Sequence, residues 1–181
     1  MSFFFFEIWK LEELKQYKYY FRIDSDAYIQ SKINFDLFEL MKIENLTLAY
    51  SFIEQDNRCT LKIDALVRKY FEKFKNIGKK IILNKKSFTN GNMDVITRYL
   101  YNSNFEIVNM DFFRNSVEFK NFQDEVEKSN GIFEYRCGDH ILKTLFIHMY
   151  ANENDLKCIG DLINVIHIES VSSCSKVTIH W

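Results

Sequence analysis

The sequence predicts an α/β fold, a mixed sheet flanked by helices, on two observations. Short apolar and aromatic runs alternate along the chain with stretches whose apolar residues recur at helical spacing, the order expected of a layered α/β domain. Apolar residues make up 47% of the 181, enough for one core, and no repeat or linker divides the chain, so a single domain over 1–181 is expected.

Taken in order, Ile8, Leu11 and Leu14 share one face of a short helix, and the aromatic run from Tyr17 to Ile23 reads as a strand. Leu46 to Ile53 is a second strand, with Glu54 at its end. Ile63, Leu66, Val67, Tyr70, Phe71 and Phe74 repeat at helical spacing, with Arg68, Lys69 and Lys75 on the opposite face and a stop near Gly78. From Ile77 to Gly91 the periodicity fades into the Lys, Asn, Ser and Thr of a surface loop, and a short helix is expected to follow. Phe105 to Met110 is the third strand. Val117, Phe122 and Val126 mark a helix that closes before Asn130-Gly131, and Ile141, Leu142, Leu145, Phe146 and Met149 outline another, entered from Gly138-Asp139. Ile163 to Ile168 reads as a strand bearing His167, and Val177 to Trp181 as one more.

Composition excludes some classes. With 24 Lys and Arg spread among 25 Asp and Glu, the net charge is -1 and no basic stripe forms, which argues against nucleic-acid binding. The pairs Lys79-Lys80 and Lys85-Lys86 read as solvated loop cations. Proline is absent while Phe reaches 18, a pattern that fits compositional bias better than a function. No run approaches the roughly 18 to 20 apolar residues that cross a bilayer. Phe3 to Phe6 is interrupted by Glu7 and Lys10 and lacks the features of a signal peptide, so the chain reads as soluble. Cys59, Cys137, Cys158 and Cys174 show no CxxC spacing; they fit buried thiols, or one or two disulfides formed in a secretory lumen.

Several acids stand where chemistry collects. Asp24-Ser25-Asp26 directly follows an apolar strand, where open α/β sheets bind ligands; by spacing alone the pair fits either a capped turn or a cation and phosphate site. In Ser103-Asn104-Phe105-Glu106-Ile107, strand alternation puts Phe105 and Ile107 on one face and Asn104 and Glu106 on the other. In Arg136-Cys137-Gly138-Asp139, the glycine permits a tight turn and Asp139 suits a helix start. His167 follows Asp161-Leu162-Ile163-Asn164-Val165-Ile166 in an apolar strand, where an ordinary core histidine is the plainer reading.

These phrases resemble, in order, the core of the fungal alpha-1,2-mannosyltransferases, glycosyltransferase family 15. Ser103 to Ile107 keeps that family's Ser-Asn-Phe-Glu-Ile unbroken, and Arg136 to Asp139 is similar to its Arg-Trp-Gly-Asp. Phe21-Arg22-Ile23-Asp24-Ser25-Asp26 is similar to a strand ending in Arg, an aliphatic residue, Glu, Pro and Asp. Ile33-Asn34-Phe35-Asp36 and Phe38 stand for Ile-Asn-Tyr-Asp and Phe, and Ile53-Glu54-Gln55 stands for Tyr-Glu-Tyr. The segment from Asp161 to His167 resembles one that ends in a metal-binding His.

The resemblance implies a partial nucleotide-sugar transferase fold of the GT-A-like kind and transfer of mannose from GDP-mannose, with retention, to a mannoside or glycoprotein glycan. It implies Mn²⁺ held by Glu54 and His167, with Asp24 and Asp26 ordering the donor. Glu106 would face the anomeric carbon as charge stabiliser or nucleophile, and Asp139 would contact donor or acceptor sugar. The implied location is the Golgi or another secretory lumen, to which the sequon Asn45-Leu46-Thr47 would conform. Departures exist: Leu100 and Lys143 stand where the family has His, Cys137 replaces an aromatic, and the family's prolines are missing. The resemblance runs from Phe4 to Cys174 but corresponds to the carboxyl-terminal part of the family's catalytic domain, without its N-terminal nucleotide-binding strands, stem or membrane anchor. A gene start placed too late, a non-catalytic binding or structural relic, or a partner chain supplying the missing half would each account for that.

Overall fold

Strand β6 (Phe105–Asn109) is buried along four of its five residues and organises the sheet around it. β1 (Tyr19–Ile23) lies antiparallel on one side of it and β3 (Leu48–Tyr50) antiparallel on the other; β7 (Leu156–Cys158) then joins β3 in parallel. The result is a mixed four-stranded sheet in the order β1-β6-β3-β7. This computed structural model describes residues 3–56, 99–130 and 138–167, together with 66, 67, 69, 70, 72–74, 132, 170, 171 and 177–180.

Period-two alternation sends the two faces of β6 into different cores, as the sequence predicts. Phe105 and Ile107 pack with Ala49, Ile159, Ile163 and Val165, and with Leu37 and Met41 of helix α1 (Leu37–Ile43). Val108 packs on the other side with Tyr20 and Leu48 against three further helices, α2 (Met110–Arg114), α3 (Val117–Lys128) and α4 (Asp139–Tyr150). Glu106 shares that second face.

Local chemistry sets the helix ends. The Asp36 carboxylate accepts hydrogen bonds from the Phe38 and Glu39 amides at 2.8 and 3.2 Å and starts α1. Asn109 and Ser116 cap α2 and α3 in the same way, so the third strand stops at Asn109, one residue short of expectation. Asn130, at φ 52°, takes the left-handed conformation just past α3. Helix α4 differs: ten of its twelve residues are buried, charged ones included.

Two expectations need correction. Ile8 to Leu14 is not one amphipathic helix but two 3₁₀ turns (Ile8–Lys10 and Glu12–Leu14), preceded by a π turn (Phe3–Glu7). The Trp9 indole N–H donates to the Phe5 carbonyl at 2.9 Å and its ring stacks on Phe113, while Leu11 is extended and interrupts the winding. The expected strand from Leu46 to Ile53 is two strands in two sheets. After β3 the chain crosses over through Ser51 and Phe52, both buried, and enters β4 (Ile53–Asp56), which pairs with β5 (Tyr99–Tyr101) and β10 (Val177–His180). Of the two alternatives left open for the cysteines, the disulfide applies at Cys158.

A further sheet joins β2 (Ala27–Ile29), β8 (Val165–His167) and β9 (Ser170–Val171). The described part of the expected helix over 63–74 is helical, with Leu66, Val67 and Tyr70 buried and Lys69 exposed. Its stop at Gly78, the loop Ile77 to Gly91 and the short helix after it lie outside the described residues. Among the described residues no helix is long and apolar enough to cross a membrane. Asn45 of the sequon is exposed, at φ 51° beyond the end of α1.

Candidate active site

Antiparallel pairing places Arg22 of β1 directly opposite Glu106 of β6, and Tyr50 of β3 opposite Glu106 on the other side. Helix α4 crosses this face and brings Asp139 and Lys143, four residues apart and so on one side of the helix, against the sheet. Four charged side chains therefore meet on the second face of the sheet, mostly out of water.

Glu106 is 2% exposed and forms an ion pair with Lys143, itself 2% exposed. The Tyr20 hydroxyl donates to Glu106 Oε1 at 2.6 Å, and the Lys143 ammonium donates to that same oxygen. Among the described residues no group donates to Oε2. Burial, then the Glu106 charge, push the Tyr20 phenol well above its ordinary range, so it stays a proton donor.

Arg22 links the other two acids. Its Nη1 donates to Asp139 Oδ2 at 2.7 Å, and its Nε and Nη2 fork onto Asp24 at 2.9 and 3.4 Å. Burial by itself would lower the basicity of this guanidinium; the hydrogen bond to Asp24 and the charges of Asp139 and Glu106 outweigh it and raise it. The ring of Phe4 covers Arg22 at 4.0 Å.

Asp24 and Asp26 belong to the turn between β1 and β2. The Asp24 amide donates to the Asn104 carbonyl at 2.9 Å and its carbonyl accepts from the Ala27 amide, so the backbone closes the turn while the carboxylate goes to Arg22 instead of capping it. Asp26 is exposed at the same turn. His167 pairs with Ala27 across β2 and β8, which sets its backbone beside that turn.

Asp139 is the first residue of α4 but does not cap it; its carboxylate turns to Arg22 instead. Gly138 has φ -69°, which any residue adopts, so the tight turn expected of this glycine is not what selects it. A Cβ there would meet the His140 ring at 2.7 Å.

Glu54 is the second residue of β4 rather than the end of a strand, and its Oε2 accepts from Asn102 Nδ2 at 3.3 Å. Asn102 is oriented from its other side: its Oδ1 accepts from the Asn104 amide at 3.0 Å and from Ser51 Oγ at 3.5 Å, which turns its NH₂ toward Glu54. A carboxylate oriented by an outer amide is an oxygen donor of the kind that suits Mn²⁺. Among the described residues no three His, Cys, Asp or Glu side chains cluster as a metal site.

Of the six predicted site residues, then, Asp24, Glu106 and Asp139 are gathered around Arg22, while Glu54 belongs to a separate sheet. Lys143, Tyr20 and Asn102 are not among the predicted site residues, although Lys143 stands where the resembled family has His. The available signals were the four-residue spacing from Asp139 to Lys143 and the two-residue spacing from Tyr20 to Arg22.

The fold is a partial nucleotide-sugar transferase fold, a mixed sheet flanked by helices. The sequence matches the glycolipid 2-alpha-mannosyltransferase family over residues 2–181, and the chain belongs to that family, glycosyltransferase family 15. It is 26% identical over 152 residues to the probable mannosyltransferase KTR3 of Saccharomyces cerevisiae, covering 82% of this chain and 37% of that protein. With mannosyltransferase KTR6 of the same yeast it shares 28% identity over 172 residues, covering 92% of this chain and 36% of the relative. The chain thus spans little more than a third of these relatives. Its fold is similar to that of core-mannan synthase A (CmsA/Ktr4) from Aspergillus fumigatus in an Mn/GDP form, with TM-score 0.78 and 23% identity over 98% of this chain and 50% of that one. Against Ktr4p of S. cerevisiae in complex with GDP the TM-score is 0.79 at 22% identity, over 99% of this chain and 46% of that one.

Proposed function

We propose that this chain forms the catalytic-carboxylate part of a mannosyltransferase that moves mannose from GDP-mannose to a mannoside, as on a glycoprotein glycan, making an alpha-1,2 bond with retention. The observation that supports this most is the gathering of Glu106, Asp139 and Asp24 around one buried arginine beyond the end of β1, in a fold shared with Mn- and GDP-bound mannosyltransferases. In this reading the C1–O bond to the diphosphate breaks and its electron pair departs with GDP. The acceptor oxygen bonds to C1, and its proton leaves to the departing diphosphate.

Glu106 meets the positive charge that develops at C1, and Asp139 contacts donor or acceptor sugar. Asp24, held by Arg22, and Asp26 order the donor. Bound Mn²⁺ would act as a Lewis acid on the diphosphate, and Glu54 and His167 are the residues that would hold it. A secretory lumen, the Golgi in this reading, agrees with the disulfide at Cys158.

A second reading, a binding or structural relative without turnover, draws on one observation: Glu106, Asp139 and Asp24 each already have a cationic partner. The two separate on transfer from GDP-mannose to a mannoside with and without Mn²⁺. Mn²⁺-dependent product that is lost in Glu106→Ala supports the transferase; full turnover by Glu106→Ala refutes the role of that residue. Absence of both transfer and any thermal shift with GDP and Mn²⁺ selects the second reading.

A further inference from the structure

Glu106 is held unevenly. Both of its described donors, the Lys143 ammonium and the Tyr20 hydroxyl, converge on Oε1. The groups that face it from every packed element are Tyr20 and Arg22 from β1, Tyr50 from β3, and Asp139 and Lys143 from α4. Of the two cations, Arg22 is committed to Asp139 and Asp24, which leaves Lys143 as the counter-charge of Glu106. Buried charges of this kind persist only when paired and hydrogen-bonded.

We propose that Lys143 is a positioning residue for Glu106: with Tyr20 it clamps Oε1, keeps the side chain an anion, and leaves Oε2 as the oxygen that meets the anomeric carbon. The proposal rests on the transferase reading of Glu106 given above. It also narrows the substrate class. Asp139 likewise accepts from Arg22, so each carboxyl is committed to a cation and neither is directed at a leaving group. Hydrolysis of an unactivated glycoside needs an acid that protonates the leaving group. A sugar on a nucleoside diphosphate does not, because its leaving group departs as an anion.

The test uses the full chain with GDP-mannose, methyl mannoside and Mn²⁺, comparing wild type, Lys143→Met and Lys143→Arg. The Met variant is expected to lose about 100-fold or more in kcat, the scale of one removed electrostatic contact at a reacting centre. Its KM for GDP-mannose is expected to change little, and the acid limb of its pH–rate profile to move to higher pH. Lys143→Arg restores most of the rate. Unchanged kcat and pH profile in Lys143→Met overturn the proposal.

A second measurement needs no turnover. Infrared spectra of the substrate-free protein at neutral pH are expected to show a protonated-carboxyl band in Lys143→Met that is absent from wild type and Lys143→Arg and disappears in Lys143→Met/Glu106→Gln. No such band overturns the lock, even where activity is present. The band in a protein without transfer activity upholds the lock and refutes the transferase reading instead. Lys143→Gln takes the place of the Met variant should the latter fail to fold by circular dichroism.

Discussion

Arg22 and Glu106 face each other across the β1–β6 ladder, yet each takes a counter-charge from the start of α4: Arg22 from Asp139, Glu106 from Lys143 one turn further on. Two opposite charges on a sheet are matched by two opposite charges on a helix, and the four are nearly dry. Breaking such an arrangement on one side costs more than the arrangement itself contributes, because the orphaned partner stays buried.

Arg22→Ala is therefore expected to destabilise the fold by about 3–5 kcal/mol, the range for removing one partner of a buried pair. Asp139, 8% exposed, would lose its partner and Asp24 would lose its fork. Urea denaturation checks it; a loss below about 1 kcal/mol would mean that solvent reaches Asp139 freely.

Asn102 offers a test of the metal assignment at a residue that is not itself a ligand. Its amide steadies Glu54 while its carbonyl oxygen holds the Asn104 amide. Asn102→Ala is expected to weaken Mn²⁺ binding in the presence of GDP by about 10- to 100-fold, as other outer-shell losses do. Calorimetric titration measures it, and unchanged affinity would remove Glu54 from the metal site.

The third prediction concerns acid stability. Hydrogen bonding from Lys73, and then from Lys128, holds the Glu125 carboxylate of α3 below its usual range despite some opposing desolvation. A carboxylate with a depressed folded-state value contributes stability that is fully present above its unfolded value, about 4.3, and is lost as pH falls through the lower folded value. Glu125→Gln should thus have a lower Tm than wild type at pH 7, with the gap closing at pH 3. A gap independent of pH would assign the effect to packing.

Gly138→Ala is expected to be well tolerated. The backbone there is ordinary, and the atoms in the way belong to the His140 ring, which must shift to admit the methyl group. A stability change within about 1 kcal/mol is expected by thermal denaturation, whereas collapse of the fold would show that His140 is fixed in place.

The sequence made the sheet faces legible because period-two alternation is a local property: Phe105 and Ile107 separate from Glu106 as the spacing requires. Helix α3 was equally readable, from Val117 to its left-handed exit at Asn130. What escaped was non-local. Nothing near Ser51 and Phe52 announces that an apolar run changes sheets, since that depends on β5 arriving from almost fifty residues away to pair with β4. The partners of the acids escaped for the same reason. Asp139 looks like a helix cap from its neighbours alone, and only the approach of β1 supplies Arg22. The resemblance, rather than spacing, named the carboxylates of the candidate site, and it assigned no role to the cations that hold them.

Helix α4 is buried on nearly every side, and a rod greasy all round carries little information about which way it should be turned. One residue of slippage rotates a helix by about 100°, and hydrocarbon alone would penalise that only through imperfect packing. Asp139 and Lys143 supply the missing angular reference: with opposite signs one turn apart, they find Arg22 and Glu106 in one orientation and meet apolar surface or like charge in the others. The ionic cluster thereby selects among rotational isomers of the core, a function that would persist in a descendant that had ceased to handle sugar.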